Sequence, residues 1–345
     1  MAQEKRQLMV VDDSEVDRII LKSMLMADFN IQEITNGSMA IEYITRTKDQ
    51  VDAMLLDISM PHITGFDVLQ FMRDKGMEDL PVFLITSEPT RENVERAMAF
   101  KVEEFICKPF VKDDIQRRLR SRLGVIPEYD EQKEDMTETR AYISSLQSIY
   151  QRYLVNFGKK DDRYRVMEDL MHILLTRYSR TKQGKGLDAN RIELISKAAY
   201  FCDIGEMLIP DKRMQLLEGQ AQVAETQQSH TLLGSSLVQL NKAKTSSYFV
   251  EICSGMCLHH HERFDGKGYP DGISGKNNSI FNQLCRLVDD FEDKRSKFYG
   301  NNSRPVKFII KRMLADDLGM VSEEVLQLLE DCEQQIMDYF VRSYG

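Results

Sequence analysis

The sequence predicts a doubly wound α/β domain followed by an all-α domain, and three observations carry that expectation. Short apolar runs alternate with helical patterns through the first 124 residues, and those runs end in polar residues. From about Met136 onward the strong patterns are long and helical, with no alternating β pattern of comparable strength.

The runs QLMVVDD, VDAMLLDIS, LPVFLITS and EEFICKP fit strands buried on both faces of a parallel sheet, and FNIQEIT is a weaker fifth candidate. Between and after them come the helical patterns SEVDRIILKSML, SMAIEYITRT, GFDVLQFMRD, RENVERAMAF and VKDDIQRRLRSRL. Ser14, with Asp17 three residues on, signals the start of the first helix. In such a domain ligands bind at the carboxyl ends of the strands. Asp12 and Asp13 end the first strand there, Asp57 the third, Thr86 and Ser87 the fourth, and Lys108 the fifth. Carboxylates gathered from distant sequence make a hard oxygen site suited to Mg²⁺. A carboxylate can also act as a nucleophile and form an aspartyl phosphate. A neighbouring ammonium and hydroxyl can neutralise phosphoryl oxygens.

This constellation resembles the receiver domain of two-component response regulators, over residues 6 to 124, and implies a flavodoxin-like fold. The resemblance makes Asp57 the phosphoacceptor and assigns Asp12, Asp13, Asp57 and the backbone carbonyl of Ser59 to Mg²⁺. It assigns Thr86 and Lys108 to the phosphoryl group and puts Phe105 at the position of the aromatic switch. Core packing explains Phe105 equally well. Lys108-Pro109 is a bond often cis in this family. A sensor histidine kinase or phosphotransfer protein is the implied partner.

VIPEYDEQKED, with a proline and six charged residues, reads as a boundary. The expected organisation is 1–124, a linker at 125–140, and a helical domain at 141–345. Its helical patterns are TRAYISSLQSIYQRYLVNF, RVMEDLMHILLTRYSRT, ANRIELISKAAYFCDIGEML, HTLLGSSLVQLNKA and SYFVEICSGMCLHHHE. Their polar exceptions are Cys202-Asp203, His230 and His259 to Glu262, followed by Asp289. Adjacent helical residues are about 100° apart, so two consecutive histidines can flank one cavity. A bridging carboxylate and two metals can activate water against a phosphodiester. A lone helical histidine is more often a hydrogen-bonded packing residue.

HHERFDGKGYP (His260 to Pro270) fits the HD-GYP signature HHExxDGxGYP at every fixed position. HTLLGSSLV (His230 to Val238) looks like that family's HTxxG element, and AAYFCDIGEMLIPD (Ala198 to Asp211) like its AAxxHDIGKxxIPD element. The resemblance, over roughly 140 to 345, implies an HD-superfamily helical domain using two or three iron, manganese or similar ions to hydrolyse cyclic di-GMP or related dinucleotides. It implies Asp203, His230, His260, His261 and Asp289 as metal ligands. The loop Asp265, Gly266, Gly268, Tyr269 and Pro270 matches the GYP segment, a surface for cyclase partners or simply a tight turn.

The pattern also breaks. Cys202 replaces the histidine of the HD pair; a thiolate can ligate zinc or iron, whereas a buried thiol is an inert small hydrophobe. Glu206 stands where the family has a lysine that assists the phosphate. DKRMQLLEGQAQVAE and DDFEDKRSKFYG replace two further family stretches, and His172 is the nearest candidate for an upstream histidine. The residues therefore favour an output domain that has lost hydrolysis and acts by binding or protein interaction, possession of Fe, Mn or Zn being doubtful. The alternative is an active metal-dependent cyclic dinucleotide phosphodiesterase.

Composition sets outer bounds. A net charge of −9 over 345 residues argues against generic nucleic-acid binding, and no helix-turn-helix reader stands out, so DNA is not an expected partner. RRLRSR (Arg117 to Arg122) reads as a solvated helix face, with a contact patch as the alternative. No apolar run approaches the roughly 18 residues of a membrane span. Six scattered cysteines fit a reduced, cytoplasmic chain, with Cys253 and Cys257 as buried packing residues or, less well, zinc ligands. A homodimer through the first domain is an expectation of the family alone.

Overall fold

The computed structural model describes residues 5–47, 50–77, 79–87, 90, 93, 96–97, 99–100, 102–125, 135–157, 162–209, 223–240, 247–298, 306–316 and 319–344. The chain divides into two compact units, with the division falling after Val125.

The first unit is built on five parallel strands: β1 (Arg6–Val11), β2 (Phe29–Ile34), β3 (Ala53–Asp57), β4 (Val82–Thr86) and β5 (Glu104–Cys107), in the order β2-β1-β3-β4-β5. That order is the flavodoxin-like one, with its switch point between β1 and β3. Successive residues of one strand fall into different apolar clusters, Met9 and Val11 in one and Leu8 and Val10 in the other. Leu56 and Leu55 divide in the same way, as the two-residue period of a strand buried on both faces requires. The helices are α1 (Glu15–Leu25), α2 (Gly37–Thr47), α3 (Gly65–Asp74) and α4 (Lys112–Leu123). Ser14 caps α1 by accepting from the Asp17 amide, and Thr64 and Asp67 form a reciprocal capping box on α3. Of the expected helix RENVERAMAF, the described positions Asn93, Arg96, Ala97 and Ala99 are helical. The arginines of α4 pair with acids: Arg120 with Asp28, and Arg118 with Asp114 and Glu104.

The second unit is helical: α5 (Met136–Asn156), α6 (Asp162–Tyr178), α7 (Ala189–Tyr200), α8 (Val223–Gln239), α9 (Ser247–His259), α10 (Ile280–Phe298), α11 (Val306–Asp316), α12 (Glu323–Asp331) and α13 (Glu333–Tyr344). Helix α5 begins at Met136, capped by Asp135, inside the segment read as linker; residues 126–134 of that segment lie outside the described residues. One apolar core joins the helices, with α6 packed on α7 and α10, and α8 on α9. No described helix is long and apolar enough to cross a membrane.

Two helices stop short of the sequence expectation, and both stops matter for the site. The pattern ANRIELISKAAYFCDIGEML predicts one continuous helix. Instead α7 ends at Tyr200 and the amides of Phe201, Cys202, Ile204 and Glu206 bond three residues back rather than four. This tighter winding continues as a 3₁₀ turn, Ile204–Leu208. Helix α9 ends at His259; the His260 amide still bonds four residues back to the Met256 carbonyl, so His260 caps the helix and His261 lies in the turn beyond it.

Candidate functional sites

At the carboxyl edge of the sheet, Asp12 and Asp57 are buried and Asp13 is exposed. Carboxylate oxygens of all three lie within 4.8 Å of one another, close enough to share a cation. The Ser14 amide donates to Asp12 Oδ1 at 2.8 Å and the Ser59 amide to Asp57 Oδ2 at 3.1 Å, which fixes both carboxyl groups. Lys108 Nζ reaches across from the end of β5 and lies 2.9 Å from Asp12, 2.8 Å from Asp17 and 3.2 Å from Asp57. Burial and the neighbouring Asp12 push the Asp57 pKa up, against the pull of Lys108. Burial alone would lower the Lys108 pKa, but hydrogen bonds to Asp17 and Asp12 raise it well above that of a free lysine. Thr86 is buried at the end of β4, Ser87 is exposed, and Ser59 is exposed beside Asp57. Phe105 is half-buried against the cluster that contains Leu84 and Leu56. Lys108-Pro109 is cis. Asp17 is the member that sequence reading missed; it was legible only as a helix-capping residue.

In the helical unit the break after α7 presents Asp203, α8 supplies His230, and the turn after α9 supplies His260 and His261. The 3₁₀ turn crosses α8 at backbone contact: a Cβ on Gly205 would lie 2.0 Å from the His230 carbonyl oxygen. Glycine there is what lets Asp203 approach His230. His260 Nε2 lies 3.1 Å from Asp203 Oδ1, His230 Nε2 lies 3.4 Å from the same oxygen, and the two Nε2 atoms are 3.3 Å apart. His260 Nδ1 faces the carbonyls of Met256 and Cys257 at 3.0 and 3.1 Å, which fixes the ring with Nε2 inward. Asp203, His230, His260 and His261 each offer a ligand atom within 4.8 Å of the others. A carboxylate and imidazoles converging from separate segments suit a borderline divalent metal. Burial would raise the Asp203 pKa, but the His260 hydrogen bond and the charges of His260, His230 and Arg163 hold it well below the carboxylate range. Burial works against protonating His260, yet Asp203 raises its pKa to about 9. Burial and the neighbouring His260 lower that of His261.

The other sequence candidates are not among these four ligand residues. Cys202 is fully buried in the apolar core, and its pKa is pushed far up by contact with the Cys285 thiol and by burial. Of the two roles open to it, ligand or small hydrophobe, it fills the second. Asp289 is buried and ion-paired with Arg163, which also holds Asp293 at 2.7 Å. Glu206 is half-buried, and its carbonyl accepts from the Tyr153 hydroxyl at 3.1 Å. His172 is exposed on α6. Cys253 and Cys257 are buried in the core, the latter thiol donating to the Phe201 carbonyl at 3.2 Å, so both serve as packing residues. The replaced stretch DKRMQLLEGQAQVAE falls mostly within residues 210–222, which lie outside the described residues.

The loop after the histidines is organised by Glu262. Its buried carboxyl accepts from the amides of Asp271 at 2.6 Å, Gly272 at 3.0 Å and Ile273 at 3.0 Å. His259 Nε2 pairs with Asp271 at 2.9 Å, and Tyr269 stacks on His261 with ring centres 4.7 Å apart. Gly266 has φ 75°, as expected of a tight turn. Gly268 is needed for a different reason: a Cβ there would lie 2.4 Å from the Arg263 amide nitrogen. Asp265 is held by Arg263 at 2.9 Å, and Tyr269-Pro270 is cis. Arg163 and Arg286 carry no motif signal and were missed; both became visible through their spatial partners alone.

Comparison with known proteins now places the chain. Residues 8–120 match the response regulator receiver domain family and residues 163–312 the HD domain family. A chemotaxis protein CheY homolog of Campylobacter jejuni is 31% identical over 34% of this chain and 92% of its own length. The chain belongs to the response regulator family. This response regulator is also similar along most of its length to other proteins. A protein of Thermotoga maritima named cyclic di-GMP phosphodiesterase is 23% identical, covering 97% of this chain and 93% of the relative. The cyclic di-GMP phosphodiesterase response regulator RpfG of Xanthomonas campestris pv. campestris is 26% identical, covering 83% of this chain and 76% of the relative. The response regulator thus joins a receiver domain to an HD domain of HD-GYP type.

Proposed function

We propose that this response regulator is phosphorylated on Asp57 and controls an HD-GYP-type output domain that no longer turns over cyclic dinucleotides and works by binding. In the receiver, residues 1–124, the Asp57 carboxylate attacks the phosphorus of a kinase or phosphotransfer phosphohistidine. The P–N bond breaks as the P–O bond forms, while Lys108 and Thr86 neutralise the transferred group. Asp12, Asp13, Asp57 and the Ser59 carbonyl would hold Mg²⁺, whose charge assists that transfer. In the output domain, 141–345 after a linker at 125–140, Asp203, His230 and His260 would hold one ion. Such an ion, of iron, manganese or zinc, would supply Lewis-acid charge to a bound phosphodiester.

One observation carries the degenerate reading: Cys202, at the position of the missing family histidine, is sealed in the apolar core rather than turned toward Asp203's ligand group. The Asp289–Arg163 ion pair supports it, because it occupies the carboxylate that a second ion would need. Cyclic di-GMP, or a cyclase partner at the Asp265–Pro270 loop, remains the ligand class for binding. The test is hydrolysis: phosphorylated protein loaded with Mn²⁺ or Fe²⁺ leaves cyclic di-GMP intact. Turnover that disappears in His260→Ala would establish the alternative, an active phosphodiesterase.

A further inference from the structure

Arg286 flanks the histidine cluster, and its contacts are chemically unusual for a metal site. Its Nη1 lies 2.9 Å from Nδ1 of His261 and 3.8 Å from Oδ2 of Asp289. The other Asp289 oxygen is taken by Arg163. A guanidinium offers donors and no acceptor, so the His261 contact is a hydrogen bond with Nδ1 accepting. A neutral imidazole that accepts at Nδ1 carries its proton on Nε2. Neither nitrogen of His261 then has a free lone pair for a cation. The usual relation is reversed, because a metal-binding histidine donates its far N–H to a carboxylate, carbonyl or water. A second mark is that the buried Nε of Arg286 has no hydrogen-bond partner among the described residues. The guanidinium is therefore held by His261 and Asp289 with one of its donors unused.

We propose that Arg286 is a resident cation of the cluster, occupying its His261–Asp289 side and competing there with a divalent metal ion. A metal meets Asp203, His230 and His260 as open donors, and gains His261 only by displacing the guanidinium. This inference rests on the HD-type metal site of the proposed function, but not on whether that site hydrolyses anything.

The experiment is a Mn²⁺ titration of the chelator-stripped, full-length protein, with free Mn²⁺ read by electron paramagnetic resonance. Arg286→Met keeps the length of the side chain and removes its charge. The Mn²⁺ Kd should fall by at least about tenfold, the size of effect seen for partners of metal-ligating histidines. Adding His261→Ala to Arg286→Met should abolish that gain, since the two residues act as a pair. Arg286→Gln, a polar substitute that also removes the charge, should give the same direction. An unchanged Kd in both single variants overturns the proposal, even where the melting temperature has dropped, because Arg286 is then a structural pairing. A gain that survives His261→Ala overturns it too. Hydrolysis of cyclic di-GMP by the unmodified protein would end the degenerate reading, yet leave these Kd ratios as informative as before.

Discussion

Replacing Glu262 with glutamine changes a charge and two hydrogens while keeping the shape of the side chain. Glu262 is buried, and one of its oxygens accepts from Asp271 and Gly272 while the other accepts from Ile273. An amide can keep its oxygen toward Asp271 and Gly272, which leaves its NH₂ facing the Ile273 N–H. Bonds to a charged group contribute roughly 1.5–3 kcal/mol and neutral ones roughly 0.5–1.5 kcal/mol, so two bonds weaken by about 1 kcal/mol each. The stranded Ile273 donor adds about 1–3 kcal/mol. Local opening of the loop should therefore become easier by roughly 3–5 kcal/mol, up to the limit set by global unfolding. Amide hydrogen exchange at Asp271, Gly272 and Ile273 reads this directly. Protection should fall by about two to three and a half orders of magnitude, at roughly 1.4 kcal/mol per tenfold. Exchange at the core of α7 should change far less. Protection at the three loop amides within about threefold of the unmodified protein would refute the assignment of Glu262 as the loop's organiser.

Three further outcomes follow from the same structure. Cys202→His should not restore turnover, and should destabilise by about 2–5 kcal/mol in denaturant unfolding, through overpacking and an unpaired buried polar group; unchanged stability with an added equivalent of bound Mn²⁺ would contradict the buried-thiol reading. Asp17→Asn frees Lys108 from one of its three carboxylates and removes a negative charge from the group around that lysine, so phosphorylation by the anionic donor acetyl phosphate should speed up by about tenfold; an equal or slower rate would count against it. In metal-stripped protein, His260 has a folded pKa raised from 6.5 to about 9. Its contribution to stability is present below pH 6.5 and disappears as pH rises through about 9, so the melting temperature should fall across that window. A melting temperature that climbs from pH 7 to 9 would show that the Asp203–His260 pair does not hold its proton.

The strand-end residues of the receiver were legible because each sits at a fixed point of a local pattern, directly after an apolar run. Asp12, Asp57, Thr86 and Lys108 needed only the rule that parallel strands gather their carboxyl ends. The histidine pair was legible for the same reason, as an uninterrupted motif. What escaped was set by distance along the chain. Arg163 finds Asp289 across 126 residues, and Lys108 finds Asp17 across 91. Charged residues on helices are too common for either pairing to show in one sequence. The direction of Cys202 was equally hidden. Its sequence neighbour Asp203 faces the cluster, and the break after α7, not helical periodicity, decides which side chain turns inward.

The approach of Asp203, His230 and His260 has a consequence of its own. The three atoms come from three separate segments, and the 3₁₀ turn meets α8 with no room for even a methyl group at Gly205. Such a group of ligands works as a caliper. Sliding any one segment by about 1 Å, a small fraction of the 5.4 Å helical pitch, opens the jaws. An ion held there would clamp α8 and the turn after α9 onto the end of α7, and its loss would unclamp them. Occupancy would then be a mechanical state of the helical unit, of use to a signalling protein even where no bond of a nucleotide is ever cut.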